Sequence, residues 1–188
     1  ARRRGAFPQE AAEPVQYGPG VQALAVYLRP YHLLPSARTQ ELFADLFGTA
    51  PSEGTLANIL TAAARQGAPV VERIRAALTA APVAHFDETG CYVEDKRYWL
   101  HVACTGKLTY YYAHVKRGQA GSKAAGLLPD FGGIAVHDGY ASYWEYGCTH
   151  ALCGAHLLRE LRFLVVRSAH PWAPVLAVLL RVVLPSSH

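Results

Sequence analysis

The chain has 188 residues, 51% of them hydrophobic and 17% charged, with a formal net charge of +4. That balance excludes a disordered chain and provides for one full domain plus a smaller unit, while the modest positive excess permits a polyanionic partner without requiring one. The longest apolar run, Ala173 to Leu184, is broken by Pro174 and Arg181 and falls short of the roughly 20 residues that a membrane span needs.

The four cysteines, Cys91, Cys104, Cys148 and Cys153, are scattered through strand-like segments. They read as reduced thiols in a cytoplasmic protein without a membrane segment. Residues 1–20 form the first predicted region, an extended basic arm. It carries Arg2, Arg3 and Arg4, followed by Pro8, Pro14, Gly18, Pro19 and Gly20. The arginines read either as a solvated terminus or as a grip on phosphate.

Residues 21–80 read as a helical region. Val21, Leu24, Ala25 and Leu28 recur at helical spacing, and Pro30 should end that helix. A second helix is predicted over Thr39–Phe47, stopped by Gly48, and a third from an N-cap at Ser52 through Arg65. A further helix is expected from Pro69 to Ala80. The second and third helices are spaced like a helix-turn-helix. Against that reading, Ser52 to Gln66 offers only Arg65 as a cation and Asn58 as a base-reading amide, so a packing helical hairpin stands beside it.

After Pro82 the period becomes strand-like, and residues 81–170 are predicted to be an α/β domain. Val83 to Val93, Arg97 to Cys104 and Leu108 to Val115 make a three-stranded meander. A helix near Gln119–Leu128, a strand Gly133–His137, a short helix, a brief strand near Ala151 and a helix Cys153–Val166 follow. A crossover helix requires the fourth strand to run parallel to an earlier one. If that neighbour is the first strand, Asp87 and Asp138 meet. Each closes an apolar run and precedes a glycine turn. Paired carboxylates repel unless a cation joins them, and magnesium, held by one or two carboxylates and substrate phosphates, suits phosphodiester chemistry. Taken singly, Asp87 reads as a cap and Asp138 as an Asp-Gly turn.

The segments His85-Phe86-Asp87-Glu88-Thr89-Gly90, Trp99-Leu100-His101-Val102-Ala103, His114-Val115-Lys116-Arg117-Gly118, Val136-His137-Asp138-Gly139-Tyr140 and His150 to Leu161 resemble successive blocks of the insertion sequence 66 family of transposases. The resemblance extends upstream to Val15-Gln16-Tyr17-Gly18-Pro19 and Ser52-Glu53-Gly54-Thr55-Leu56. It implies a ribonuclease-H-like mixed sheet behind a small all-α region. It also implies a DDE-type active site that uses Mg2+ or Mn2+ to cut transposon ends and join them to target DNA, in an oligomer assembled on that DNA. By the resemblance Asp87 is the first acid and Asp138 the second. The third should lie on a later helix, and Glu160 is the weaker candidate within this chain. The family's paired-cysteine zinc segment and later acidic helix find no counterpart, so the chain is expected to be an incomplete transposase, with residues 171–188 a truncated segment. A DNA-binding remnant and a nuclease are the alternatives.

Lys116, Arg117, His156 and Arg159 are the expected DNA contacts; a solvated turn is the competing reading for the first two. Cys148, His150, Cys153 and His156 could hold zinc, but a strand followed by a helix aims them apart, so packed cysteines are favoured. Cys153-Gly154-Ala155-His156 also resembles a Cys-x-x-His element that shapes the site in several transposase groups. His137 reads as a buried support for Asp138, and at least one tyrosine among Tyr110, Tyr111 and Tyr112 should face the core.

Overall fold

A computed structural model describes residues 17–168 and 170–183. Contacts divide the chain between Pro69 and Val70 into two compact units.

The first unit is helical. α1 (Pro19–Val26) runs into a π-helical turn, Tyr27–Tyr31, and α2 (Ser36–Phe47) and the start of α3 (Glu53–Thr79) follow. Ala25, Phe43, Leu56 and Ile59 bury themselves together as its core. Gly48 closes α2 with φ +68°, the left-handed conformation that glycine enters without a Cβ penalty. Two proline predictions change. Pro30 lies inside the π-turn instead of ending a helix: the wider loop lets His32 N–H reach Tyr27 O at 3.2 Å and asks no hydrogen bond of Pro30. Pro69 sits inside α3, which is one helix where two were expected. An interior proline costs about 3 kcal/mol, but the helix is anchored on both sides, by Leu56 and Ile59 before it and by Ile74 and Leu78 after it.

The second unit is built on β1 (Val83–Val93), β2 (Lys96–Cys104), β3 (Thr109–His114), α4 (Gln119–Ala125), β4 (Ile134–His137), β5 (Thr149–Leu152), α5 (Gly154–Ser168) and α6 (Trp172–Val183). The sheet order is β3-β2-β1-β4-β5, antiparallel through the first three strands and parallel across β1, β4 and β5. Glu94 and Asp95, at φ +48° and +59°, make the tight β1–β2 turn whose twist matches the strands.

Strand alternation gives the sheet two unlike faces. Ala84, Phe86, Ala103, Tyr110 and Ala135 turn inward and pack with Leu127, Leu128, Phe131, Tyr143 and Tyr146; fully burying one such large side chain is worth about 1.5 to 3 kcal/mol. Val83, Tyr111 and Ile134 on the other face are exposed. α5 and α6 pair with each other through Leu161, Ala173 and Ala177. Gly121 in α4 lies so close beneath β2 that a Cβ there would meet His101 Nε2 and Lys116 O, each at 2.3 Å.

Candidate metal centre

The parallel register of β1 on β4 pairs Val83 with Ile134, Ala84 with Ala135 and His85 with Val136. Two residues past the last of these pairs stand Asp87, within β1, and Asp138, one residue beyond the end of β4, on the same outward side. The expected convergence therefore follows from the pairing. Each aspartate spends its Oδ1 on a backbone donor: Glu88 N–H gives to Asp87 and Tyr140 N–H to Asp138, both at 2.8 Å. Gly139, at φ +90°, makes the turn that folds Tyr140 N–H back onto Asp138.

β5 then delivers α5. Cys153 N–H donates to His137 O at 2.7 Å, so the helix starts beside β4, and His156 in its first turn swings over Asp87. Its Nε2 stands 4.0 Å from Asp87 Oδ2, and its Nδ1 is buried with no hydrogen-bond partner among the described residues. Asp87, Asp138 and His156 each place a donor atom within 4.8 Å of the others. An ion bonded at about 2.1 Å holds its ligands roughly 3 to 4 Å apart, so a small closure would seat one. Two carboxylate oxygens and one imidazole nitrogen are a fitting set for a divalent cation, and the nitrogen favours manganese or a later metal over magnesium. Asp87 is 56% exposed and Asp138 23%, leaving the cluster open to a large substrate.

Behind this cluster lies a network that the sequence reading missed. Glu88, next to Asp87, points to the inner face with its side chain 2% exposed. Arg117 Nε donates to Glu88 Oε1 at 2.7 Å, and Tyr143 Oη donates to Oε2. Arg117 also lies against two rings, 4.1 Å from the Tyr140 centroid and 5.0 Å from that of Trp99, and its Nη2 comes to 3.9 Å from Asp138 Oδ2. The hydrogen bond to Glu88 pushes the Arg117 pKa further up, and burial, then the neighbouring Glu88 carboxylate, holds the Tyr143 hydroxyl well above the usual tyrosine range. Strand alternation was the available signal: residue 88 shares the inward parity of Ala84 and Phe86.

A second support is a chain of imidazoles. Gly139 N–H donates to His137 Nδ1 at 3.0 Å, so the His137 proton resides on Nε2, which donates to His150 Nδ1 at 3.0 Å; His150 Nε2 donates to Tyr146 O at 3.0 Å. Burial, reinforced by His150, lowers the His137 pKa, in keeping with a neutral His137 ring whose Nδ1 accepts from Gly139 N–H. His137 thus stands where it was expected, buried behind Asp138.

The other predicted residues are dispersed. Glu160 and Arg159 are exposed on α5 and lie outside the cluster. Lys116 is exposed after β3, whereas Arg117 is engaged by Glu88. Cys148 Sγ is 4.0 Å from His150 Nε2, while His156 belongs with the aspartates. Tyr110 is the core tyrosine and Tyr111 is exposed.

A family model described as Transposase IS66 family matches residues 14–183. The chain belongs to that family of transposases. No curated protein matches it. The family implies a DNA substrate and a divalent metal, and no helix among the described residues is long and apolar enough to cross a membrane.

Proposed function

We propose that residues 81–170 are a ribonuclease-H-like DDE-type core that breaks and joins DNA phosphodiester bonds at the ends of an insertion sequence. The observation that carries this reading is the approach of Asp87, Asp138 and His156 to within 4.8 Å, just past the last pair of the parallel β1–β4 register. Asp87 and Asp138 hold a divalent cation, Mn2+ or Mg2+, through the oxygens left over from their backbone hydrogen bonds, and His156 supplies a third donor. The bound cation supplies Lewis acidity toward a phosphoryl oxygen.

The chain's own residues orient and attract. Gly139 and the imidazole pair fix the Asp138 turn; Glu88 and Tyr143 fix Arg117; Lys116 and Arg159 contact phosphates on the flanks, and the helical region, residues 21–80, adds DNA contacts. A synaptic oligomer on DNA is the working form. A second reading, a DNA-binding member without cleavage, is favoured by one observation: Glu160 stands outside the cluster and the third donor is a histidine.

Incubating the chain with labelled insertion-sequence ends and Mn2+ separates the two. The enzyme reading expects nicked or joined products that vanish in Asp87→Asn and Asp138→Asn. DNA binding without any product supports the second reading, and cleavage that survives both substitutions contradicts the site.

A further inference from the structure

Arg117 has two acids to choose between. It donates to buried Glu88 at 2.7 Å, while its Nη2 stops 3.9 Å from Asp138 Oδ2, beyond hydrogen-bonding distance. The Asp138 oxygen it approaches is the one not engaged by Tyr140 N–H. A guanidinium that closed onto that oxygen would occupy it with a permanent cation, and arginine does not deprotonate to release it.

We propose that Glu88 is a positioning residue that tethers Arg117 and so keeps Asp138 Oδ2 open to a divalent cation. The tether has three parts. Glu88 is desolvated, which strengthens its charge-assisted hydrogen bond to Arg117 Nε relative to any exposed competitor. Tyr143 Oη holds the other Glu88 oxygen, so the carboxylate cannot rotate to follow the arginine. Tyr140 and Trp99 limit the swing of the guanidinium from its ring sides. Tyr140 also supplies the N–H that fixes Asp138 Oδ1, so one residue restrains both members of the competing pair.

This inference rests on the cation site proposed above, and it makes a prediction of unusual sign: removing the arginine should not harm cation binding. Mn2+ titration of the full chain, followed by electron paramagnetic resonance of free Mn2+, compares wild type, Glu88→Gln, Arg117→Gln and the double variant. Glu88→Gln frees Arg117 to pair with Asp138 and weakens Mn2+ binding about 10-fold, the lower end of effects from groups that support metal ligands. Arg117→Gln binds at least as tightly as wild type, and the double variant follows Arg117→Gln. A merely architectural pair predicts the reverse, with Arg117→Gln weakened and the double variant no better than Glu88→Gln; that result overturns the tether.

The metal-free crystal structure of Glu88→Gln is the second readout. Arg117 within hydrogen-bonding distance of Asp138 Oδ2 supports the tether, and Arg117 unmoved or turned to solvent overturns it. If wild type binds no Mn2+, the cation site fails, yet this crystal structure still decides whether Glu88 restrains Arg117. Should Glu88→Gln not fold, Arg117→Gln alone discriminates through the direction of its Mn2+ affinity.

Discussion

The two faces of the sheet use carboxylates in opposite ways, and the neighbours Asp87 and Glu88 show it most plainly. Asp87 is more than half exposed and has one backbone donor and a nearby histidine. Glu88, one residue on, is buried, with a guanidinium and a phenol on its two oxygens. The inner carboxylate is a structural charge whose hydrogen bonds offset its desolvation; the outer one is left underpaired, which suits a ligand that arrives from solution. Adjacent strand positions can therefore belong to different machinery.

The largest expected effect breaks the outer face. Asp138→Asn should reduce Mn2+ affinity more than about 100-fold, exceeding the effect of supporting groups, with little change in thermal midpoint; a titration paired with a melt checks both. A large loss of stability would move Asp138 to the inner, structural class.

Overpacking the inner face comes next. Gly121→Ala drives a Cβ into His101 and the Lys116 carbonyl and should cost about 1 to 3 kcal/mol in denaturant unfolding. Tyr143→Phe removes one hydrogen bond from buried Glu88 and should cost about 1.5 to 3 kcal/mol, as for bonds to charged groups. If it costs nothing, Glu88 is not held as described.

A smaller effect is set by pH. His137 is buried with its pKa lowered, so near the unfolded-state value of about 6.5 the unfolded chain takes up the proton first. Stability should therefore fall as pH drops through that window, by at most about 0.7 kcal/mol per half unit, and His137→Gln should flatten the slope of thermal midpoint against pH.

The smallest stability effects belong to the exposed cations. Lys116→Ala and Arg159→Ala should each change stability by less than about 0.5 kcal/mol while lowering the salt dependence of DNA binding by about one unit of slope. A change in melting without a change in salt slope would assign them to the fold instead.

Much of the second unit was legible because period-two alternation and glycine turns are local signals. Val83 to Val93 was read to the residue, and Asp87 and Asp138 followed from a single topological rule. Glu88 was missed because its partners lie 29 and 55 positions away, and because Asp-Glu-Thr-Gly reads locally as a cap. His156 could be read only as a neighbour of the site: its approach to Asp87 depends on where β5 sets α5 down. Pro69 misled for the opposite reason. A strong local signal to break a helix was outweighed by burial on both sides of it.

The most direct test of the account is anomalous diffraction from crystals soaked in Mn2+. One peak bonded to Asp87, Asp138 and His156 is the predicted result. A saturating soak with no peak there, or with manganese bound only elsewhere on the chain, would contradict it.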